Sequence, residues 1–359
     1  MSQPASTVDT LVSQQHTAEP VVQELKPALT RQWDAFVESC PDATFFHLAG
    51  WKDVIETAFG HRCYYLLAKS ANEITGVLPL VHMKSLLFGN ALISTPILAY
   101  GGVAAEDGQV HAKLETEACA LAEKLKVDYL EFRNRESRHP DWPSKKLYVT
   151  FRKTMQPDPE ANLLEIPRKQ RAMVRKGIKA GMKAEFDTSI DRFYTAYSQS
   201  FHNLGTPVFS RTYFDRIQQV FNDRSDILTV THDGDLVSSV MSFYFRDEVL
   251  PYFGGGTALA RQLKGNDFMY WELMRHSCER GVRVFDFGRS KQGTGTYSFK
   301  KNWGFEPEQL FYEYYLVKAK QVPDISPMNP KYRFFINAWK RLPLAVTQVI
   351  GPLIARNLG

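Results

Sequence analysis

Apolar positions along the chain fall into two rhythms that alternate. Trp51, Val54, Ile55, Ala58 and Phe59 recur at helical spacing, as do Val110, Leu114, Leu121 and Leu125 in a helix predicted over 110–126. Further helices are predicted over 30–39, 209–221 and 267–280. Between them lie strand-like runs at 63–68, 74–82, 91–98, 127–133 and 147–154, then at 227–231, 236–245, 249–253 and 282–287. Helices interleaved with meandering strands predict an α/β chain of mixed sheets with helices packed on them.

The order of elements in the first half returns in the second. W-K-D-V-I-E-T-A-F-G (51–60) resembles Y-F-D-R-I-Q-Q-V-F-N (213–222), and V-D-Y-L-E-F-R (127–133) resembles V-R-V-F-D-F-G (282–288). S-A-N-E-I-T-G-V-L-P-L (70–80) similarly matches H-D-G-D-L-V-S-S-V-M-S (232–242). Three matches in one order indicate a duplication with a period of about 155–160 residues, each copy one structural unit. The expected division is a disordered lead-in over 1–20, units over 21–155 and 156–320, and a helical tail over 321–359.

Candidate chemistry concentrates in 283–307. A buried strand pattern stops at Gly288 and exposes Arg289, Ser290 and Lys291 at its exit. A loop with Gly293 and Gly295 follows, then a helical turn with Tyr297, Phe299, Lys300 and Lys301. In open α/β sheets ligands bind beyond strand ends of this kind. Asp286, inside the strand, is a candidate base or a structural acceptor. The second unit opens on R-K-Q-R-A-M-V-R-K-G-I-K-A-G-M-K (168–183), with seven Lys/Arg and no acid. Like charges one turn apart repel, and phosphates would offset that repulsion, so Arg171, Arg175 and Lys176 are candidate anion contacts. Gly177 and Gly181 lie away from the basic face, where close packing would explain them.

Composition adds limits. The 359 residues suit two domains. The net charge of +5 is mild and matters only where it clusters. Cys40, Cys63, Cys119 and Cys278 are far apart, without metal spacing, which predicts free thiols in a reducing, cytoplasmic setting. The N-terminal stretch has neither a basic start nor an apolar run, so no secretory signal is expected. No P-loop, Rossmann fingerprint or Ser/His/Asp signature occurs. His47 and His82 read as satisfied or surface histidines.

The duplicated unit, the R-K-x-x-R-x-x-x-R-K-G-x-K-x-G helix and the F-D-F-G…G-T-Y-x-F-K-K-x-W-G-F ending resemble the FemAB family over residues 25–318. The likeness is strongest to the subgroup associated with exosortase/PEP-CTERM systems and extends to the CelD/BioF-like acetyltransferase domain. It implies tandem GNAT-like (acyl-CoA N-acyltransferase) domains. It also implies transfer of an acyl or aminoacyl group to an amine on a cell-envelope or exopolysaccharide precursor. Peptidoglycan-bridge members take aminoacyl-tRNA as donor and a lipid- or nucleotide-linked muropeptide as acceptor. This chain lacks the long coiled-coil insertion that some of them carry and adds a C-terminal tail. By resemblance Lys300 corresponds to the family's active-site lysine, and Tyr297 orients the acceptor or packs. Arg289 would clamp a carboxylate or phosphate, with Ser290 and Lys301 beside it; Lys52 and Tyr100-Gly101-Gly102 would face the acceptor across the cleft. No metal and no bound cofactor are expected. The donor, aminoacyl-tRNA or acyl-CoA, is a co-substrate, and a lipid- or nucleotide-linked sugar is the acceptor. The CoA-loop position holds Gln262-Leu263-Lys264-Gly265-Asn266-Asp267. Its Asp267 is expected to repel phosphate, and Asn266 or Asp267 to cap the next helix. Two alternatives stand: an acyl-CoA-dependent N-acetyltransferase acting on a nucleotide-sugar amine, and a non-catalytic membrane-associated adaptor.

After Asp324 the chain has no acid. The tail reads as two short helices broken at Pro343 and Pro352. They would be either docked on the protein or lying at the inner face of a membrane, with Phe335, Trp339 and Val346 dipping in and contact made through residues 325–359.

Overall fold

The computed structural model describes residues 19–85, 89–322 and 330–357. The lead-in expected over 1–20 lies outside the described residues, apart from its last two positions. The first half runs β1 (Val21–Glu24), α1 (Thr30–Ser39), α2 (Gly50–Phe59), β2 (Arg62–Ser70), β3 (Glu73–Ser85), β4 (Gly89–Ser94), β5 (Ala104–Ala105), α3 (Gly108–Leu125), β6 (Tyr129–Asn134), β7 (Ser144–Lys145) and β8 (Tyr148–Thr154). Next come α4 (Pro159–Glu165), α5 (Arg168–Lys179), β9 (Lys183–Asp187), α6 (Asp191–Leu204), α7 (Arg211–Val220), β10 (Ser225–His232), β11 (Asp235–Phe245) and β12 (Glu248–Gly256). The chain continues through α8 (Ala258–Leu263), α9 (Gly265–Glu279), β13 (Val284–Asp286), β14 (Ser290–Lys291), α10 (Gly295–Asn302), β15 (Pro307–Gln309) and β16 (Phe311–Leu316). The tail holds α11 (Pro330–Trp339) and α12 (Leu344–Ala355).

Two mixed sheets result. One has the order β1-β2-β3-β4-β6-β16-β7 and the other β14-β8-β13-β12-β11-β10-β9, with β5 and β15 pairing to β3 and β8. Each has one parallel pair at the matching place, β4 with β6 and β12 with β13. The repeat is therefore structural, but the cut expected between 155 and 156 divides the chain and not the sheets. β8, from the first half, joins the second sheet through Val284↔Thr154 and Asp286↔Arg152. β16, from the second half, completes the first sheet against β6. Each sheet thus borrows one antiparallel strand, which pairs the edge that β6 or β13 would otherwise leave open.

The inner faces of both sheets share one core with α1, α2, α6 and α7. Phe45 stacks on Phe243 at 4.6 Å and Trp51 lies against Phe221 at 5.1 Å, so side chains of both halves interleave. The matching helices α2 and α7 meet here, with Asp53 paired to Arg216. Leu114, Ala118 and Ala122 of α3 cover the outer face of the first sheet. α5, α9 and α10 cover that of the second around Phe285, Phe287 and Trp303. α5 presses its Gln170, Val174 and Gly177 face inward. A Cβ at Gly177 would lie 2.7 Å from Phe268 Cβ, so the α5–α9 approach needs glycine there. Gly181 serves otherwise, in a left-handed turn at φ +75° with open space around it. Ile178, one helical turn after the buried Val174, is 48% exposed.

The tail docks on the protein. Trp339, expected to dip into a membrane, is instead buried, while Phe335 and Val346 remain partly exposed. Gln348 donates to Ser198 Oγ of α6 at 2.9 Å, and His61 donates to the Arg356 carbonyl at 2.7 Å. Pro343 precedes α12 as expected, but the helix runs through Pro352.

Candidate active site

β13 delivers Asp286, fully buried, to the junction of the two halves. Its Oδ1 accepts from Thr150 Oγ1 at 3.1 Å and from the Gly288 N–H at 2.7 Å. Its Oδ2 accepts from the Tyr100 hydroxyl and lies 3.7 Å from Arg152 Nε. Arg152 is also paired with Glu248. Burial, with Asp286 alongside, pushes the Tyr100 hydroxyl far above the usual range, which keeps it a donor. Both oxygens of Asp286 are thus engaged by the protein, so the carboxylate organises the strand end. These contacts are those of the structural acceptor read as one option for Asp286.

The N–H that Asp286 holds belongs to Gly288, whose φ of +67° turns the chain out of the strand, a conformation glycine adopts without strain. Arg289 follows, its guanidinium over Tyr148 at 4.8 Å and donating to the Tyr312 hydroxyl at 2.9 Å. Ser290 is buried and its hydroxyl has no hydrogen-bond partner. Thr294 caps α10 by accepting from the Tyr297 N–H. From α10, Lys300 Nζ reaches back to donate to the carbonyls of Gly288 at 2.8 Å and Arg289 at 3.1 Å. The amine also lies 5.7 Å from the Phe151 ring centre. Burial pushes Lys300 down to about 7; Asp286 opposes that shift and Arg289 adds to it. The ammonium is therefore fixed within the fold, although Lys300 lines neither of the cavities described below. Tyr297 sets its ring edge-on to Phe151 at 5.4 Å, and Lys301 is exposed.

A cavity of about 260 Å³ opens on the other side of Asp286. Tyr100, Gly101, Gly102, Arg133, Asn134, Arg135 and Thr150 line it. Tyr100 and Thr150 are thus shared between the cavity and the carboxylate. Arg135 lies over the Tyr100 ring at 5.6 Å. His47 is buried at the cavity wall, its Nε2 bonded to the Gly102 carbonyl at 3.0 Å and its Nδ1 accepting from the Thr44 N–H. Burial pushes it down to about 4, so it is neutral, as a satisfied core histidine should be. Lys52, expected to face the cleft, is instead paired with Glu56 at 2.7 Å and bonded to the Cys63 carbonyl. Its helix turns the next acid, one turn on, toward the same face.

Arg171, Arg175 and Lys176 stand apart from Lys300, on an outward groove of about 340 Å³ with Arg168, Ala172 and Lys179. Arg171 donates to the Leu164 carbonyl at 2.8 Å. The two regions connect through a buried carboxylate. Asp267 of α9 accepts from Gln170 of α5 and from Trp303 Nε1 at the end of α10. Burial pushes its pKa up. Asp267 therefore neither caps α9 nor presents charge to a phosphate. The residue at the cap position is Lys264, left-handed at φ 63°, and no side chain caps α9.

The sequence reading missed Thr150, Arg152, Tyr312, Arg133 and Arg135. Thr150 and Arg152 alternate on one face of a strand-like run, which is a visible signal, but their partner Asp286 lies 136 and 134 residues away.

Residues 168–301 match the family model for the acetyltransferase (GNAT) domain. FemX, as a crystal structure, superposes with a TM-score of 0.65 at 14% identity, covering 88% of this chain and 100% of its own. A tandem GNAT protein from the clavulanic acid biosynthesis pathway gives 0.53 at 14% identity, covering 82% of this chain and 98% of its own. The chain has the tandem GNAT fold. L-PGS from Bacillus licheniformis shares that fold, at a TM-score of 0.51 and 15% identity over 92% of this chain and 98% of its own. Comparison with curated protein sequences gives no match. The matched GNAT segment begins with α5 and ends at Lys301, so it holds Asp286, Arg289 and Lys300 but not the borrowed strand β8.

Proposed function

We propose that the protein is an N-acyltransferase that moves an acyl or aminoacyl group onto an amine of a cell-envelope or exopolysaccharide precursor. The observation that carries this reading is Lys300, held by two backbone carbonyls at the exit of β13 within a GNAT-matched segment. The acceptor amine attacks the carbonyl carbon of an ester or thioester, forming a C–N bond and an oxyanion. The oxyanion collapses by expelling the alkoxide or thiolate, which takes up the proton that the amine loses. Two N–H bonds of Lys300 are spent on the Gly288 and Arg289 carbonyls, which leaves the third of the ammonium for the oxyanion. A fixed donor of that kind stabilises such a charge by about 3–4 kcal/mol.

The cavity at Tyr100 suits the acceptor, a lipid- or nucleotide-linked sugar, with Arg135 at its rim. The outward basic face of α5 suits the phosphates of an anionic donor, aminoacyl-tRNA or acyl-CoA. The second reading, a CoA-dependent N-acetyltransferase acting on a nucleotide-sugar amine, gains from one observation. Asp267 is turned inward and α9 has no side-chain cap, so the expected repulsion of a pyrophosphate is absent.

The test is a transfer assay pairing charged tRNA or acetyl-CoA with nucleotide- and lipid-linked amino sugars, using Lys300→Ala as control. Turnover with charged tRNA and none with acetyl-CoA supports the first reading, and the reverse supports the second. Lys300→Ala should abolish turnover with the circular dichroism spectrum unchanged. Full turnover in that variant removes the assignment of Lys300.

A further inference from the structure

α12 is docked the wrong way round for a helix that merely completes a fold. Its inward face is made of small or polar residues: Thr347 at 0% exposure, Ala355 at 1% and the buried Gly351. Gly351 sits so close that a Cβ there would lie 3.0 Å from the Val208 backbone N. Leu344, Ile350 and Ile354 are half-buried beside this inward face, and the other large aliphatic side chains point outward, with Val346 40%, Val349 72% and Leu353 60% exposed. These lie at i, i+3 and i+7, on one face. A docked helix ordinarily buries its largest apolar residues; this one is held in place by its smallest.

The outward face has charges only at its ends. None of the residues of α12 is charged, and the exposed Lys340 and Arg341 precede it while exposed Arg356 follows. With no acid after Asp324, an apolar strip between cations faces outward. Phe335, 40% exposed on α11, adds an aromatic side chain to the same tail.

We infer that this face is a membrane-docking surface, seated in the plane of a bilayer that carries anionic lipid. The charges select the occupant: cations at headgroup level and aliphatic side chains between them match an anionic interface. Size argues against a second copy of the chain. Twelve residues of helix make a strip about 18 Å long, whose face of roughly 200 Å² is far below the ~800 Å² per partner of a stable interface. The same length is short of the ~30 Å needed to cross a bilayer, and among the described residues no helix is long and apolar enough to do so. The anchor is rigid, because His61 holds the Arg356 carbonyl and Ser198 holds Gln348. This inference does not rest on the transferase reading.

The test is flotation of the full-length protein with phosphatidylcholine vesicles, alone or containing phosphatidylglycerol. The wild type should float with the mixed vesicles and not with phosphatidylcholine alone. The Val349→Asp, Leu353→Asp double variant should lose flotation at an unchanged melting temperature, since both side chains are already in water. Lys340→Glu with Arg341→Glu should remove the preference for phosphatidylglycerol. Failure of the wild type to float with the mixed vesicles overturns the inference, as does undiminished flotation of the aspartate variant. A dimer in light scattering that the aspartate variant dissociates would give the face to a second copy and overturn the lipid reading.

Discussion

The two halves of the molecule repeat one architecture and differ at three matching places. In the first half the acid on the central strand is Glu131, which pairs at 2.7 Å with Arg133 on its own strand. In the second half the matching residue is Asp286, which binds Tyr100 and Thr150 from the other half of the chain. The helix before each strand differs in parallel. α3 is closed by Asp107, whose side chain accepts from the Gln109 and Val110 N–H groups, whereas α9 begins without any side-chain cap. After the strand, only the second half turns at a glycine and supplies a helix that returns a lysine. One copy closes the acid of its central strand on an arginine of the same strand, and the other directs it at a shared junction. On the proposed function the first half is the acceptor wall and scaffold, and the second is the half that carries the chemistry.

That contrast is most exposed at the acids. Asp286→Ala leaves Arg152, Tyr100, Thr150 and the Gly288 N–H without their partner, and removing one member of a buried pair costs about 3–5 kcal/mol. Glu131→Ala should destabilise by a similar amount through Arg133, which is 3% exposed. The difference lies in the consequence: only Asp286→Ala should also displace Lys300. Urea denaturation measures the first effect, and the titration of Lys300 by NMR measures the second. An unmoved Lys300 in Asp286→Ala would break the proposed asymmetry. Tyr100→Phe removes a single bond to the same carboxylate and should cost less, about 1.5–3 kcal/mol.

The halves should also respond to opposite ends of the pH scale. Lys300 titrates at about 7 in the fold, well below its ordinary value. Between that value and the ordinary lysine range the unfolded chain binds the extra proton, so stability rises with pH across this window. Lys300→Met should lack the rise, which after allowance for the partial exposure of Lys300 amounts to about 2 kcal/mol. His47 in the first half titrates at about 4 against an ordinary value of 6.5. There the unfolded chain binds the extra proton between about 6.5 and 4, so stability falls as pH drops through that window. His47→Gln should flatten the acid limb alone and Lys300→Met the alkaline limb alone, in melting curves taken across pH. If the ammonium of Lys300 serves the oxyanion, turnover should fall as pH rises through about 7; a rise would make the neutral amine the base.

Much of this contrast is legible in the sequence where information is local. The likeness of 51–60 to 213–222 reflects α2 and α7, which occupy matching places and meet in the core. The F-D-F-G run followed by the Lys300 turn marks a strand exit through its residue pattern alone. The exchange of β8 and β16 is not legible, because a strand's own alternation says which face is buried and nothing about which sheet it joins. Arg152 and Thr150 escape notice for that reason. Lys52 is misplaced by sequence because pairing one helical turn along, with Glu56, competes with any cleft. Asp267 looks like an exposed loop acid because the residues that bury it, Gln170 and Trp303, come from two other helices.

The smallest expected effect tests the helix ends. Asp107→Ala should cost about 1 kcal/mol, because two N–H groups of α3 lose the cap that they share. At the matching place in the second half Lys264 holds a left-handed φ of 63° and closes α8, its N–H donating to the Ala260 carbonyl, while its side chain caps nothing; Lys264→Gly keeps that backbone bond and should relieve strain and stabilise by up to about 1 kcal/mol. Opposite signs at equivalent positions are expected if one helix start is built for stability and the other is left open. Chemical denaturation of the two variants, side by side, reads this directly. A loss of stability in Lys264→Gly as large as that in Asp107→Ala would mean that the second helix start is closed like the first, and the contrast between the halves would then rest on Asp286 and Lys300 alone.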